Sequence, residues 1–356
     1  MEITARNTNE LSRKFYATMA KRGQLVKTRN GDALRLPGVT TITLRNPWER
    51  VNFGAIRDAN PFFHLIESMA MLAGDLGNDV GLLSYFAKNM LLFSDDGSSY
   101  NAFYGTRARA YRPIGEHLGD VDQLKEVCRI LQADPDSRQA MICLWDPDLD
   151  LGTETKDKAC NVMMLFSVEN EGLNMTTFNR SNDAIWGGVT GANVVHLSYF
   201  QEYVSCALEV PMGVWHHSSA NLHVYLDNPK WPVVKEDNLD NLAYPDAVIP
   251  PLFKGYAHHF DRSLGKFIRE LRGNLDGTCE GFSFITNPFL AHTCTPMAGA
   301  FIAWKHGEKQ MAYDILKTVQ STDWRIAGLL WFKRREKITL SPNLLTYPDE
   351  LFTAQS

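Results

Sequence analysis

Apolar positions along the chain switch between two periods. Residues 9–23 carry them at helical spacing. Residues 24–45 break into short β-rich runs around two turn signals, Arg29-Asn30-Gly31-Asp32 and Pro37-Gly38, and close on Thr40-Thr41-Ile42-Thr43-Leu44. Asn-Gly between such runs signals a hairpin. Over 60–75 the helical period returns. Phe62, Phe63, Leu65, Ile66, Met69, Leu72 and Ala73 predict a largely buried helix with Glu67 inside it. A buried carboxylate needs a partner, so Glu67 stands out.

Further on, 120–132 reads as a helix, Asp134–Arg138 as a turn and 140–145 as a strand. A polar loop spans 146–158. Strands are predicted at 161–168 and 173–178, joined by an Asn170-Glu171-Gly172 turn, and another holds Asn221–Tyr225. Residues 192–208 are helical, opening after Gly187, Gly188 and Gly191. From about 245 the pattern is helical only, at 256–272, 296–318 and 323–336, with a Gly/Pro-rich joint near 273–297. The expectation is an α/β (α+β) mixed sheet with packed helices over 1–245, followed by an α-helical C-terminal extension over 246–356.

Composition narrows the function. The 356 residues are 44% hydrophobic and 22% charged, an ordinary globular balance with length for a large core. The net charge of −5 gives no support for polynucleotide binding. Six cysteines lie at 128, 143, 160, 206, 279 and 294, with no CxxC pair and no zinc spacing. Unpaired cysteines fit a reducing, cytoplasmic setting. The start, Met1–Arg6, lacks the apolar stretch of a signal peptide, and no window approaches a membrane span.

The chemistry concentrates at Ala159-Cys160-Asn161 and at Asn179-Arg180-Ser181-Asn182-Asp183, some twenty residues on. Thiolate is the nucleophilic form of cysteine, and a nearby cation favours it. Arg180 could supply that cation and also fork onto phosphate oxygens. One constellation would then hold a nucleoside monophosphate and attack its base.

These motifs, in their order, resemble the thymidylate synthase superfamily over roughly 15–230, and in style its phage-type pyrimidine nucleotide hydroxymethylases. Lys27–Gly31 looks like the N-terminal phosphate loop. The Glu67 helix looks like the one carrying the catalytic glutamate, Tyr104-Gly105 like the Tyr-Gly pair, and Asp136-Ser137-Arg138 like the Asp-Ser-Arg-Arg turn. Arg180–Asp183 looks like Arg-Ser-x-Asp, and His223-Val224-Tyr225 like His-x-Tyr. The resemblance implies a thymidylate-synthase-like fold and one-carbon transfer from 5,10-methylenetetrahydrofolate to C5 of a pyrimidine nucleoside monophosphate. It implies Cys160 as nucleophile toward C6, Glu67 and Asn193 as the groups handling charge and protons at the ring, and Tyr104 assisting loss of the C5 proton. Arg29, Arg180 and Ser181 would hold phosphate, with Arg138 reaching across a homodimer interface. His223 and Tyr225 would bond the sugar, and Asp183 the pterin.

Departures from the pattern shape the choice of reaction. Asn161 replaces a histidine, and Gln139 replaces the second arginine of the interface pair. Asn193 matches the family's discriminating asparagine only with a two-residue insertion around Gly187–Gly191. An asparagine there pairs with uracil, whereas an aspartate suits cytosine. Met90 stands where synthases place a tryptophan, and Leu351–Ser356 differs from their apolar tail. Poorer exclusion of water favours capture of the C5 methylene by water, hence a (d)UMP hydroxymethylase. Thymidylate synthesis and dCMP or CMP hydroxymethylation are the alternatives.

Each residue also has a plain structural reading. Cys160 could be a small buried hydrophobe, Asp183 a helix cap, Asn193 the N-cap of a helix over 194–208, and Arg138 a turn stabiliser. His216-His217 and His258-His259 lack partners at ligand spacing, so no metal is expected. A non-catalytic nucleotide- or RNA-binding relative, or an unrelated cysteine hydrolase, are the rival classes.

Overall fold

The computed structural model describes residues 1–112, 120–169, 172–234, 244 and 247–336. The Asn170–Glu171 part of the expected turn, the boundary at 245 and the tail at 351–356 lie outside the described residues.

The strands are β1 (Glu2–Ala5), β2 (Gln24–Thr28), β3 (Gly31–Arg35), β4 (Thr40–Leu44), β5 (Met141–Cys143), β6 (Asn161–Glu169), β7 (Gly172–Asn179), β8 (Asn182–Asp183), β9 (Met212–Ser219) and β10 (Leu222–Tyr225). The helices of the first half are α1 (Thr8–Arg22), α2 (Pro61–Leu72), α3 (Val80–Phe86), α4 (Tyr104–Arg109), α5 (Gln123–Ala133) and the single turn α6 (Pro147–Asp150). Then come α7 (Ala192–Leu208), the short α8 (Trp231–Val234), α9 (Ala257–Asp276), α10 (Thr295–Lys305), α11 (Lys309–Lys317) and α12 (Thr322–Glu336). None of the described helices is long and apolar enough to cross a membrane.

A six-stranded mixed sheet runs β1-β4-β9-β7-β6-β5, and a four-stranded sheet runs β2-β3-β10-β8. The Asn30-Gly31 hairpin forms as the sequence predicts, with Thr28 opposite Gly31. Strand β9 was not expected. Met-Gly-Val-Trp-His-His-Ser-Ser shows no clean apolar alternation, yet Trp215, His217 and Ser219 point inward. His217 is accommodated because Thr177 Oγ1 bonds its Nδ1 at 2.7 Å and the Asn182 amide lies on its Nε2 at 2.8 Å. Edge strand β1 also escaped notice: its parallel pairing with β4 joins residues some forty positions apart. The helix expected over 296–318 is two, because Gly307 turns the chain at φ +85°. The polar loop over 146–158 contains α6, capped by Asp146.

Local signals explain the starts of the central helices. Asn7 caps α1 by accepting from Asn9 and Glu10 N–H. Asn60 caps α2 by accepting from Phe63 N–H, with Pro61 at the first position. All twelve residues of α2 are buried. Helix α7 covers one side of α2 and the inner face of β7 and β9, while α10 and α12 cover another side of α2. Phe62 of α2 stacks among Phe301 and Phe332, both at 5.1 Å, and Trp331 at 5.4 Å. The helices beyond 247 thus share one hydrophobic core with the sheet.

A buried ion pair ties the same layers. Arg50 meets Glu202 of α7 at 2.5 Å and lies 3.8 Å above the Tyr199 ring. Glu202 accepts Leu252 N–H at 2.8 Å, and Trp324 of α12 donates to Tyr199 Oη at 3.0 Å. A shared core predicts one cooperative transition. Phe62→Ala should lower stability by about 3–5 kcal/mol, with sheet and C-terminal helices still melting together. Two separate transitions in calorimetry of this variant would show that the helices fold apart.

Candidate active site

Helix α4 builds the seat of Cys160. Its Gly105 packs on α2 so tightly that an added Cβ would lie 2.4 Å from Met71 O, which explains glycine after Tyr104. Tyr104 is buried, and its hydroxyl accepts the backbone N–H groups of Cys160 and Asn161, each at 3.1 Å. One helical turn on, Arg107 forms a buried pair with Asp150 and donates to Leu144 O at 2.7 Å. Asp150 in turn accepts N–H from Asp146 at 3.0 Å and from Ala159 at 3.4 Å. The segment entering β6 is therefore gripped at Cys160 and Asn161 by Tyr104 and at Ala159 by Asp150, which Arg107 holds.

Arg180, just after β7, lies along the same segment. Its N–H donates to Cys160 O at 2.9 Å, its Nε to Ala159 O at 2.7 Å, and one terminal nitrogen is 3.9 Å from Cys160 Sγ. The Trp145 ring backs the guanidinium at 5.4 Å. Among the described residues no carboxylate pairs with Arg180, in contrast to Arg50, Arg107 and Arg109. Burial pushes the Cys160 thiol above its ordinary value; Arg180 pulls it down, and Asp157, Asp183 and Asp150 push it up. Asp157 is itself raised to about 6, first by burial. The thiol donates to Lys158 O at 3.7 Å. Burial thus favours the thiol form, beside a guanidinium that no carboxylate among the described residues pairs.

Glu67 comes from α2 and meets His196 of α7, with Oε2 3.5 Å from Nδ1. The His196 ring packs edge-to-face on Tyr104 at 5.7 Å. This joins Glu67 to the Cys160 group, as the sequence predicts, but through a histidine that it did not nominate. The two residues lie far apart along the chain, and a histidine within an apolar helix carries no signal of its own.

His223, Tyr225, Asp183, Arg29 and Ser181 sit on the small sheet and its margin. His223 pairs in register with Asp183 and with Arg35. Its ring meets Tyr225 edge-to-face at 4.9 Å. Asn30, at the β2–β3 tip beside Arg29, reaches Tyr225 Oη at 3.4 Å. Arg29 is exposed there, and Ser181 is half-buried between Arg180 and β8. Arg138 is exposed on the turn before β5 and makes no ion pair among the described residues. The structure does not bring it onto Cys160 within one chain.

Asp183 does cap: its Oδ1 accepts Ile185 N–H at 2.9 Å and Trp186 N–H at 3.5 Å. Oδ2 takes no protein donor among the described residues, so the carboxylate can cap and still accept from a ligand N–H. Burial raises its pKa from the ordinary value. Beside it Trp186 is half exposed, with Arg57 at 4.9 Å from the ring centre. Both lie outside the motifs used for the resemblance.

Asn193 is not the N-cap. Helix α7 opens at Ala192 after Gly191, without a side-chain cap, and Asn193 sits in the first turn. The preceding residues form a π-helical turn, Ala184–Gly188, which holds more residues per turn than an α-helix and absorbs extra length. Its glycines are steric necessities. A Cβ on Gly188 would lie 1.5 Å from Asn182 Nδ2, and one on Gly191 2.0 Å from Trp186 O. The Asn193 amide nitrogen lies 3.5 Å from the Cβ position of Gly187.

Comparison with known proteins agrees with this geometry. A thymidylate synthase family model matches residues 79–243. A deoxyuridylate hydroxymethyltransferase of Pseudomonas phage M6 is 35% identical over 349 residues, covering 94% of each chain. A protein of that name from Bacillus phage SP01 is 36% identical over 62% of this chain and 57% of its own. Another, from Delftia phage PhiW-14, is 27% identical over 60% of each. The chain is an enzyme, a transferase, and it belongs to the thymidylate synthase family.

Proposed function

We propose that this enzyme is a deoxyuridylate hydroxymethyltransferase, converting dUMP to 5-hydroxymethyl-dUMP. The observation that carries this reading is the Cys160 seat: a thiol 3.9 Å from an arginine that pairs with no carboxylate among the described residues, on backbone held by Tyr104. Phage relatives bearing that name, one of them along nearly the full chain, support the choice of product.

The residues divide the work as follows. Arg29, Arg180 and Ser181 bind phosphate, and His223 and Tyr225 the sugar. Phosphate on Arg180 aligns the pyrimidine ring with Cys160. Addition of the thiolate to C6 makes C5 nucleophilic. Asn193 pairs with the uracil edge, since an amide offers both a donor and an acceptor. Tyr104, whose hydroxyl lies on the Cys160 backbone, assists loss of the C5 proton. 5,10-Methylenetetrahydrofolate supplies the one-carbon unit when bound, and the spare Oδ2 of Asp183 with the open Trp186 face fits its pterin. Met90, partly buried against the core, occupies the position of the synthases' tryptophan and offers no aromatic shield against water.

The same reading includes a homodimer. The face of the large sheet turned away from α7 presents two cross-strand rows. One is Met141, Leu165, Thr176 and His216; the other is Cys143, Met163, Phe178 and Ser218. Phe178 and Met141 are each about two-fifths exposed (41%). A second copy on this face would bury them, and Arg138, on the turn entering β5, stands at its edge. From there it would reach the partner's phosphate.

Mass spectrometry of a reaction with dUMP and 5,10-methylenetetrahydrofolate should find 5-hydroxymethyl-dUMP and tetrahydrofolate. A methyl product with dihydrofolate would make the protein a methylating synthase instead. Cys160→Ala should abolish tritium release from C5-labelled dUMP while leaving nucleotide binding within a few-fold; retained release would exclude covalent addition. The thiol's upward shift fixes a pH direction. Alkylation of Cys160 by iodoacetamide, followed on its peptide, should rise with pH to a midpoint above about 8.5, the ordinary thiol value. Arg180→Ala should move that midpoint higher still, and a downward move would show that Arg180 does not favour the thiolate.

A further inference from the structure

Across the α2–α7 contact, Glu67 and His196 form a pair that the packing leaves incomplete. They are 6% and 2% exposed. Among the described residues no protein group hydrogen-bonds Glu67 Oε2 or either ring nitrogen of His196. A buried polar group without a partner costs about 1–3 kcal/mol, so three such atoms together are a burden on the fold. Their neighbours share the property: Tyr100 Oη and Asn161 Nδ2 are buried and likewise without a protein partner. The Tyr100 hydroxyl feels the Glu67 charge. Asn161 directly follows the nucleophile, and Tyr104, against the His196 ring, holds both. The unmet atoms gather on the Tyr104 side of Cys160. His64, one turn before Glu67, stays neutral: burial first, then Arg57 and His196, bring it down to about 3.

The geometry also orders the two nitrogens. Nδ1 faces the carboxylate at 3.5 Å, a separation that catalytic hydrogen bonds show before substrate tightens them. A proton on Nδ1, directed at Glu67, leaves the Nε2 lone pair as an acceptor. That is the arrangement of a general base with its orienting carboxylate.

Taking the hydroxymethyl-transfer reading as its basis, we propose that His196 is the general base of the final step: it binds the water that attacks the C5 methylene and takes its proton, while Glu67 orients the ring. In this step the water oxygen bonds to the exocyclic methylene carbon, and the double bond to C5 becomes the C4–C5 enolate. The enolate collapses, C5=C6 forms, and the C6–S bond breaks. The proton on His196 passes to the departing Cys160 thiolate or to solvent. Water is the only co-reactant, and nothing is oxidised or reduced. Tyr104 and Cys160 serve addition and proton loss; His196 and Glu67 serve the capture that makes the product an alcohol.

The step can be isolated without folate. Run in reverse, Cys160 adds to C6 of 5-hydroxymethyl-dUMP, protonated His196 returns its proton to the C5 hydroxymethyl oxygen, and water leaves; on return, oxygen is taken up from solvent. In heavy-oxygen water, mass spectrometry should show wild-type enzyme labelling the hydroxymethyl oxygen. His196→Gln, and His196→Asn as a second variant, should slow labelling by about a hundredfold or more, the usual contribution of a general base. Single-turnover tritium release from C5-labelled dUMP with 5,10-methylenetetrahydrofolate should stay within about threefold of wild type, because that step precedes water capture. Equal labelling by variant and wild type, or a parallel fall in labelling and tritium release, overturns the role of His196. Wild-type enzyme that releases tritium but never labels the alcohol overturns the hydroxymethyl reading itself, and the proposal with it.

Discussion

The site depends on the contact between α4 and α2. Because Gly105 lets the two helices approach to a distance no side chain would permit, Tyr104 and Arg107 reach the strand entry that carries Cys160. Tyr104 takes two backbone N–H groups of the nucleophile segment, and Arg107 works through Asp150 on a third. Ahead of Asn161, where β6 begins, the backbone ladder supplies the segment with one bond, from Arg180 N–H to Cys160 O. Here buried side chains supplement the ladder. The pair Arg107–Asp150 is sealed from water, so removing either partner would strand a charge, a cost of about 3–5 kcal/mol.

Charge around the nucleophile is arranged to be completed by a ligand. Arg180 places its N–H groups on carbonyls of the Cys160 segment and meets no carboxylate among the described residues, while Arg50, Arg107 and Arg109 are all paired. Burial first, and then three aspartates, raise the thiol that Arg180 lowers. The resting balance favours the thiol form. Unmet polar atoms at Glu67 and His196 extend the same principle to water.

The helices beyond 247 are more than an appendage. Phe62 lies one helical turn and a half from Glu67 on α2, and its ring is enclosed by Phe301, Trp331 and Phe332. The C-terminal helices therefore brace the outer side of the helix whose inner side carries the carboxylate. Arg50 and Glu202 repeat the connection through α7, which carries His196 and Asn193.

The sequence alone made the local elements legible and singled out Cys160 and Arg180, which the fold brings together. Asn60-Pro61 before an apolar run marks α2, Asn30-Gly31 marks the hairpin, and Cys160 with Arg180 marks a thiol beside an anion site, because caps, turns and short motifs act over a few residues. It did not reveal β1, β9 or the break at Gly307. Parallel pairing across forty residues leaves no periodic trace, and β9 hides its inward face behind histidines and serines. Nor could it nominate His196. A histidine in an apolar helix is a core residue or a base according to what faces it, and only the packing of α7 on α2 places Glu67 3.5 Å away. The reason is physical: propensity and spacing are encoded locally, whereas the pairing of buried polar groups exists only when distant segments share one core.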